Sequence, residues 1–166
     1  MTPTVSTRPT GSGALLKLPF LARVLVLIVL LPAMLLFADT SDNQRSGLDT
    51  VRAQCASVQN ATRVAASYGN NGVQTVSDQF QLLRQAYSDF TRTLTPEQQN
   101  RYGNEWAELA SGLDVIQEAF SNYQDDVANG RSPITALSDM CRVLNEAGRL
   151  WLQQFNSVAS KAHVGW

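Results

Sequence analysis

The sequence predicts an all-α protein, an N-terminal single transmembrane helix followed by an antiparallel up-down-up-down four-helix bundle. Three observations carry this expectation. Residues 18–38 are apolar apart from Arg23, four later segments repeat apolar residues every three or four positions, and the breaks between those segments hold residues that start and stop helices. No strand is expected, because the periodicity is helical throughout.

Residues 1–17, rich in Thr, Ser, Pro and Gly, read as a disordered cytoplasmic tail. The 21 residues 18–38 would span about 31 Å as a helix, close to the ~30 Å hydrocarbon core of a bilayer. A helix starting after Arg23 would reach only about 22 Å, which suits the core of a signal peptide. Arg23 can snorkel to the headgroups, so the longer span stands beside the shorter one. Signal peptidase selects small residues at −3 and −1. A cut after Ala38 puts Leu36 at −3, and a cut after Thr40 puts threonine at −1. The basic residues Arg8, Lys17 and Arg23 precede the apolar run and Asp39 and Asp42 follow it, which places the N-terminus in the cytoplasm. Residues 18–38 are therefore read as a transmembrane signal anchor, with a cleaved signal peptide as the alternative. The expected location is single-pass in the plasma (inner) membrane, with residues 39–166 periplasmic or extracellular.

The first bundle helix, about 43–68, carries Leu48, Val51, Cys55, Val58, Thr62 and Ala65 on one seam, and Tyr68-Gly69-Asn70-Asn71-Gly72 ends it. The second, about 73–94, repeats Val73, Val76, Phe80, Leu83, Tyr87, Phe90 and Leu94. Thr95-Pro96-Glu97-Gln98 opens the third, about 96–128, as a capping box with proline in the first turn. That helix carries Tyr102, Trp106, Leu109, Leu113, Ile116, Phe120, Tyr123 and Val127, and Asn129-Gly130 closes it. Ser132-Pro133 opens the fourth in the same manner, about 132–160, with Ile134, Leu137, Cys141, Leu144, Gly148, Trp151, Phe155 and Val158. A spacing near 3.5 residues suits helices packed at shallow angles, and short connections make them antiparallel.

Of the 13 Lys and Arg, three precede Ala38; the remaining ten face 14 Asp and Glu, a net charge of −4. That balance opposes nucleic acid as a partner, since such binding rests on clustered cations. Two cysteines, Cys55 and Cys141, lie on apolar seams of the first and fourth helices. Outside the cytoplasm a pair such as this oxidises, and a disulfide is one reading. Two separately buried thiols are the other, because the longer third helix puts the sulfurs at different heights. A kink at Ser111-Gly112 or a climbing loop would reconcile the heights.

Catalytic, cofactor and metal signatures are absent from the sequence. His163, the only histidine, stands three residues from the C-terminus, so neither a Ser-His-Asp triad nor the Glu-x-x-His pairs of di-iron bundles can form, and no C-x-x-C occurs. Gly112 and Gly148 fall at similar heights with Trp106 and Trp151 nearby. This cluster reads as close helix packing, or as a packing groove or partner site. Lys161, His163 and Trp166 would approach the bilayer if the fourth helix returns to it, so that Lys161 and Trp166, like Arg23 at the other end of the span, read as membrane-interface contacts; a frayed tail is the alternative.

Leu94-Thr95-Pro96-Glu97-Gln98 resembles the L-T-x-x-Q motif of the small periplasmic stress chaperones of the Spy and CpxP type. That resemblance implies an exported, all-helical protein. It covers five residues, lacks the second copy of the motif, and coincides with a helix cap.

The functional expectation is a non-enzymatic, membrane-anchored extracytoplasmic bundle that acts through protein-protein contacts as an accessory or scaffolding subunit of a membrane or envelope complex. Its partners would be membrane lipid through residues 18–38 and other membrane or envelope proteins; neither a cofactor nor a small-molecule ligand is expected. The alternative is a soluble exported helical chaperone or binding protein released by signal cleavage.

Overall fold

The structure is a computed structural model that describes the side chains of residues 40–65, 67, 69 and 71–165, and for residues 20–39 the helical backbone only. The predicted tail 1–17, the apolar segment 18–38 with Arg23, and Trp166 lie outside the described side chains. Among the described residues no helix is long and apolar enough to cross a membrane. The chain divides into two units, 1–39 and 40–166.

The fold is all-helical. Four helices follow one another: α1 (Phe20–Tyr68), α2 (Asn70–Arg92), α3 (Pro96–Ala128) and α4 (Pro133–Lys161). Contacts within the second unit run in opposite directions along each neighbouring pair. Gly47 meets Phe90 and Gly72 meets Ala65 across α1 and α2. Arg84 bonds Asp114 while Tyr87 bonds Trp106 across α2 and α3. Tyr102 bonds Lys161 and Trp151 bonds Leu109 across α3 and α4, which pack most closely. Arg52 bonds Asn156 and Thr62 bonds Asn145 across α1 and α4, closing the circuit.

Local chemistry sets the element ends. Thr95 caps α3 in a complete capping box. Its hydroxyl accepts the Gln98 N–H, and the Gln98 side chain accepts the Thr95 N–H. Gly130, at φ 85°, ends α3 in a Schellman turn, with its N–H on the Val127 carbonyl and the Arg131 N–H on that of Asp126. Ser132, expected to cap α4, makes no side-chain cap; Pro133 alone supplies the start signal. Helix α2 begins at Asn70, three residues before the expected position, because Gly69 at φ 56° turns the chain within one residue. Gly72 therefore lies in its first turn, against the backbone of Ala65.

Most of the seam residues read from the sequence form the core; on α3, Tyr102, Phe120, Tyr123 and Val127 are only half-buried. All six α1 seam residues are buried, as are Val76, Phe80, Leu83, Tyr87 and Phe90 of α2 and Leu94 in the turn after it, while Val73 is half-buried. One α4 residue departs: Ile134 is 79% exposed. Thr62 faces Asn145, and α1 ends six residues beyond Thr62, whereas Ile134 lies eleven residues beyond Asn145. The tip of the α3–α4 hairpin thus passes the end of α1 by about 7 Å at 1.5 Å per residue. The kink in α3 falls at Tyr102 (φ −123°, ψ 18°) rather than at Ser111-Gly112.

Candidate functional site

Phe155, fully buried, centres an aromatic cluster. Its ring stacks on Trp151 at 5.3 Å and 8°, and meets Phe90, Tyr87 and Trp106 edge-on at 5.3, 6.2 and 6.3 Å. Such geometries add about 0.5–1.5 kcal/mol per pair to the burial itself. Polar atoms on the rings are directed at α3. Trp151 donates its indole N–H to the Leu109 carbonyl at 2.8 Å, and Tyr87 donates its hydroxyl to the Trp106 carbonyl at 2.5 Å. Burial pushes the Tyr87 phenol up from its ordinary value. The indole N–H of Trp106 is buried without a partner.

The four residues singled out together are thus distributed over two surroundings. Trp106, Trp151 and Gly112 belong to the packed cluster, and a Cβ on Gly112 would stand 3.1 Å from Trp151 Cδ1. Gly148, also buried, has no atom within 4 Å of where its Cβ would be. Its carbonyl instead accepts the Cys55 thiol at 3.7 Å.

That contact fixes the cysteines. Both are free buried thiols in the structure, not a disulfide. With Cys55 against Gly148, Cys141 lies seven residues away along α4, about 10 Å of helical rise. Burial pushes Cys55 up to about 11, and Cys141 shifts in the same direction for the same reason.

Where the α2–α3 turn meets the end of α4, a glutamine pair joins four segments. Gln44 of α1, 4% exposed, donates to the Thr93 carbonyl at 2.9 Å and to Gln98 Oε1 at 2.8 Å. Gln98 donates in turn to the Ala162 carbonyl at 3.1 Å. Lys161 points its side chain to solvent, and its carbonyl accepts the Tyr102 hydroxyl at 2.7 Å. Beyond it the chain does not fray through Val164. His163 takes a left-handed conformation (φ 50°), its N–H reaches the Ser160 carbonyl, and the N–H of buried Val164 reaches that of Ala159. This is a second Schellman turn, with histidine where glycine is usual.

The outer face of α3 and α4 carries a different surface. A groove of about 270 Å³ runs between them, floored by Ala119, Tyr123, Ala136 and Met140 and edged by Val115 and Val143. Val115 is 62% exposed and Val143 41%. Arg131 spans one end of the groove, paired with Asp126 at 2.5 Å and with Asp139. Hydrogen bonds to Asp126 and Asp139 hold the Arg131 guanidinium above its ordinary pKa. Among the described residues no group of three or more His, Cys, Asp or Glu is placed to hold a metal ion.

No protein-family model, curated protein or solved structure matches the chain.

Nothing in the sequence marks Gln44 as buried or gives Gln98 its second partner. Val115 and Val143 fall off the apolar seams, which is the one sequence signal that they face outward.

Proposed function

We propose that this is a non-enzymatic contact protein, tethered to the membrane by residues 18–38, whose helical domain acts as an accessory or scaffolding subunit of an envelope complex. One observation carries the reading: Val115 and Val143 are exposed at the edges of a groove between α3 and α4, with exposed Leu150 two turns further along α4, while the interior is filled by its own aromatic rings. Apolar surface gathered on one face, rimmed by polar groups, is what a protein-protein contact uses. Tethering rests on the length and flanking charges of residues 18–38.

Fractionation of the cells that make the protein tests this. The full chain is expected to stay with membranes through a high-salt wash, to need detergent for release, and to migrate above the size of an 18.2 kDa monomer. Release by osmotic shock as a monomer beginning near Asp39 would instead establish the exported, signal-cleaved form.

A further inference from the structure

We infer that the α3–α4 face docks a basic amphipathic helix of a partner protein; the inference rests on the contact reading above and adds the chemistry of the partner. The apolar strip has the shape of a helix seat. On α4, exposed Val143 and Leu150 stand two turns apart on one face, about 10 Å, beside the groove floor that the buried Ala136 and Met140 form. Val115 and Tyr123 supply the facing wall from α3. A partner helix laying one residue per turn into this seat would cover Val115, Val143 and Leu150, which are 62%, 41% and 52% exposed.

Charge chooses the partner. Helix α3 carries Glu97, Glu105, Glu108, Asp114, Glu118, Asp125 and Asp126 against a single base, Arg101, and of these Asp114 is already paired with Arg84 of α2. Next to the strip, Arg131 already neutralises Asp126 and Asp139, and Arg142 lies 3.6 Å from Asp139. Glu118 on the groove edge and Asp125 beyond it have no ion-pair partner among the described residues, and Glu146 on α4, also without one, stands one turn from both Arg142 and Arg149. Lysines or arginines flanking the apolar stripe of an incoming helix would meet these carboxylates, raising the association rate and fixing orientation. A second copy of this chain would bring its own acidic α3 against the first, which like-charge repulsion opposes.

A photo-crosslinking amino acid placed in the full chain, in native membranes, at Val115, Val143, Val64 or Leu82 tests the proposal, the last two being exposed valine and leucine on α1 and α2. Cross-links are expected at 115 and 143 and not at 64 and 82. The captured peptide, sequenced by mass spectrometry, should have apolar residues at helical spacing and a net positive charge. Glu118→Arg with Glu146→Arg should lower the yield at 115 and 143 about tenfold, with the thermal midpoint unchanged. Capture of a second copy of this chain, or of an acidic segment, or indifference to the charge reversal would overturn the proposal. Cross-links at 64 or 82 alone would overturn this face while leaving the contact reading intact, and no cross-link at any position would end both.

Discussion

Gly72 and Gly148 are both buried helical glycines, yet they answer opposite needs. A Cβ at 72 would lie 2.2 Å from the Ala65 carbonyl oxygen, and that atom is backbone, which cannot swing aside. Gly72→Ala should therefore cost at least about 3 kcal/mol, the upper range for overpacking, seen as a large loss in a urea melt. At 148 the same methyl meets nothing within 4 Å. Gly148→Ala should gain roughly 1 kcal/mol from helix propensity alone, a thermal midpoint raised by a few degrees. His163 is the converse case, a residue with a Cβ at φ 50°. Replacing it with glycine should stabilise by about 1 kcal/mol, because the left-handed conformation then carries no steric cost. None of these differences is legible in the sequence. Glycine reads as a breaker or a packing residue, and only the approach of Ala65, or the empty space at 148, decides which.

At the scale of elements, what was legible followed local chemistry. Pro96 and Gly130 bracket α3 because proline at the first turn and glycine after the last act within a few residues. The exposure of Ile134 was not legible, since it depends on α1 ending below the hairpin tip, a property of two helices together. Nor was the groove, which depends on how α3 and α4 pack side by side. The glutamine pair falls between these cases. Thr95-Pro96-Glu97-Gln98 announces the cap, but the same Gln98 amide also holds Gln44 and the Ala162 carbonyl. Gln98→Ala would lose the reciprocal half of the capping box and leave the buried Gln44 amide without one of its two partners. A loss of about 2–3 kcal/mol is expected. Gln99→Ala, which removes one part-buried bond from an exposed side chain to the Leu94 carbonyl, is the control and should cost about 1 kcal/mol. Equal losses in the two variants would show that the pair does not join the segments energetically.

For the molecule as a whole, the interior groups that titrate all shift the same way. Cys55, Tyr87 and Cys141 are each raised by burial, so the folded protein holds protons that the unfolded chain releases. Stability contributed by a raised group is fully present below its unfolded pKa and is lost as pH climbs toward the folded one. For Cys55 the window opens near 9 and closes near 11. Urea melts should therefore give a constant midpoint from about pH 7 to 8.5 and a declining one above pH 9. Cys55→Ala removes one of these protons, so its midpoint should fall less steeply between pH 9 and 11, whatever the substitution costs at neutral pH. The same burial governs reactivity, because the thiolate is the nucleophile and a raised pKa suppresses it. Iodoacetamide at pH 8 should leave both cysteines unmodified in the folded protein and alkylate both once urea has unfolded it. If the unfolded protein took up no label without a reductant, the thiols would be bonded to each other after all. That result would require α1 and α4 to shift by two turns from the register that Cys55 and Gly148 define.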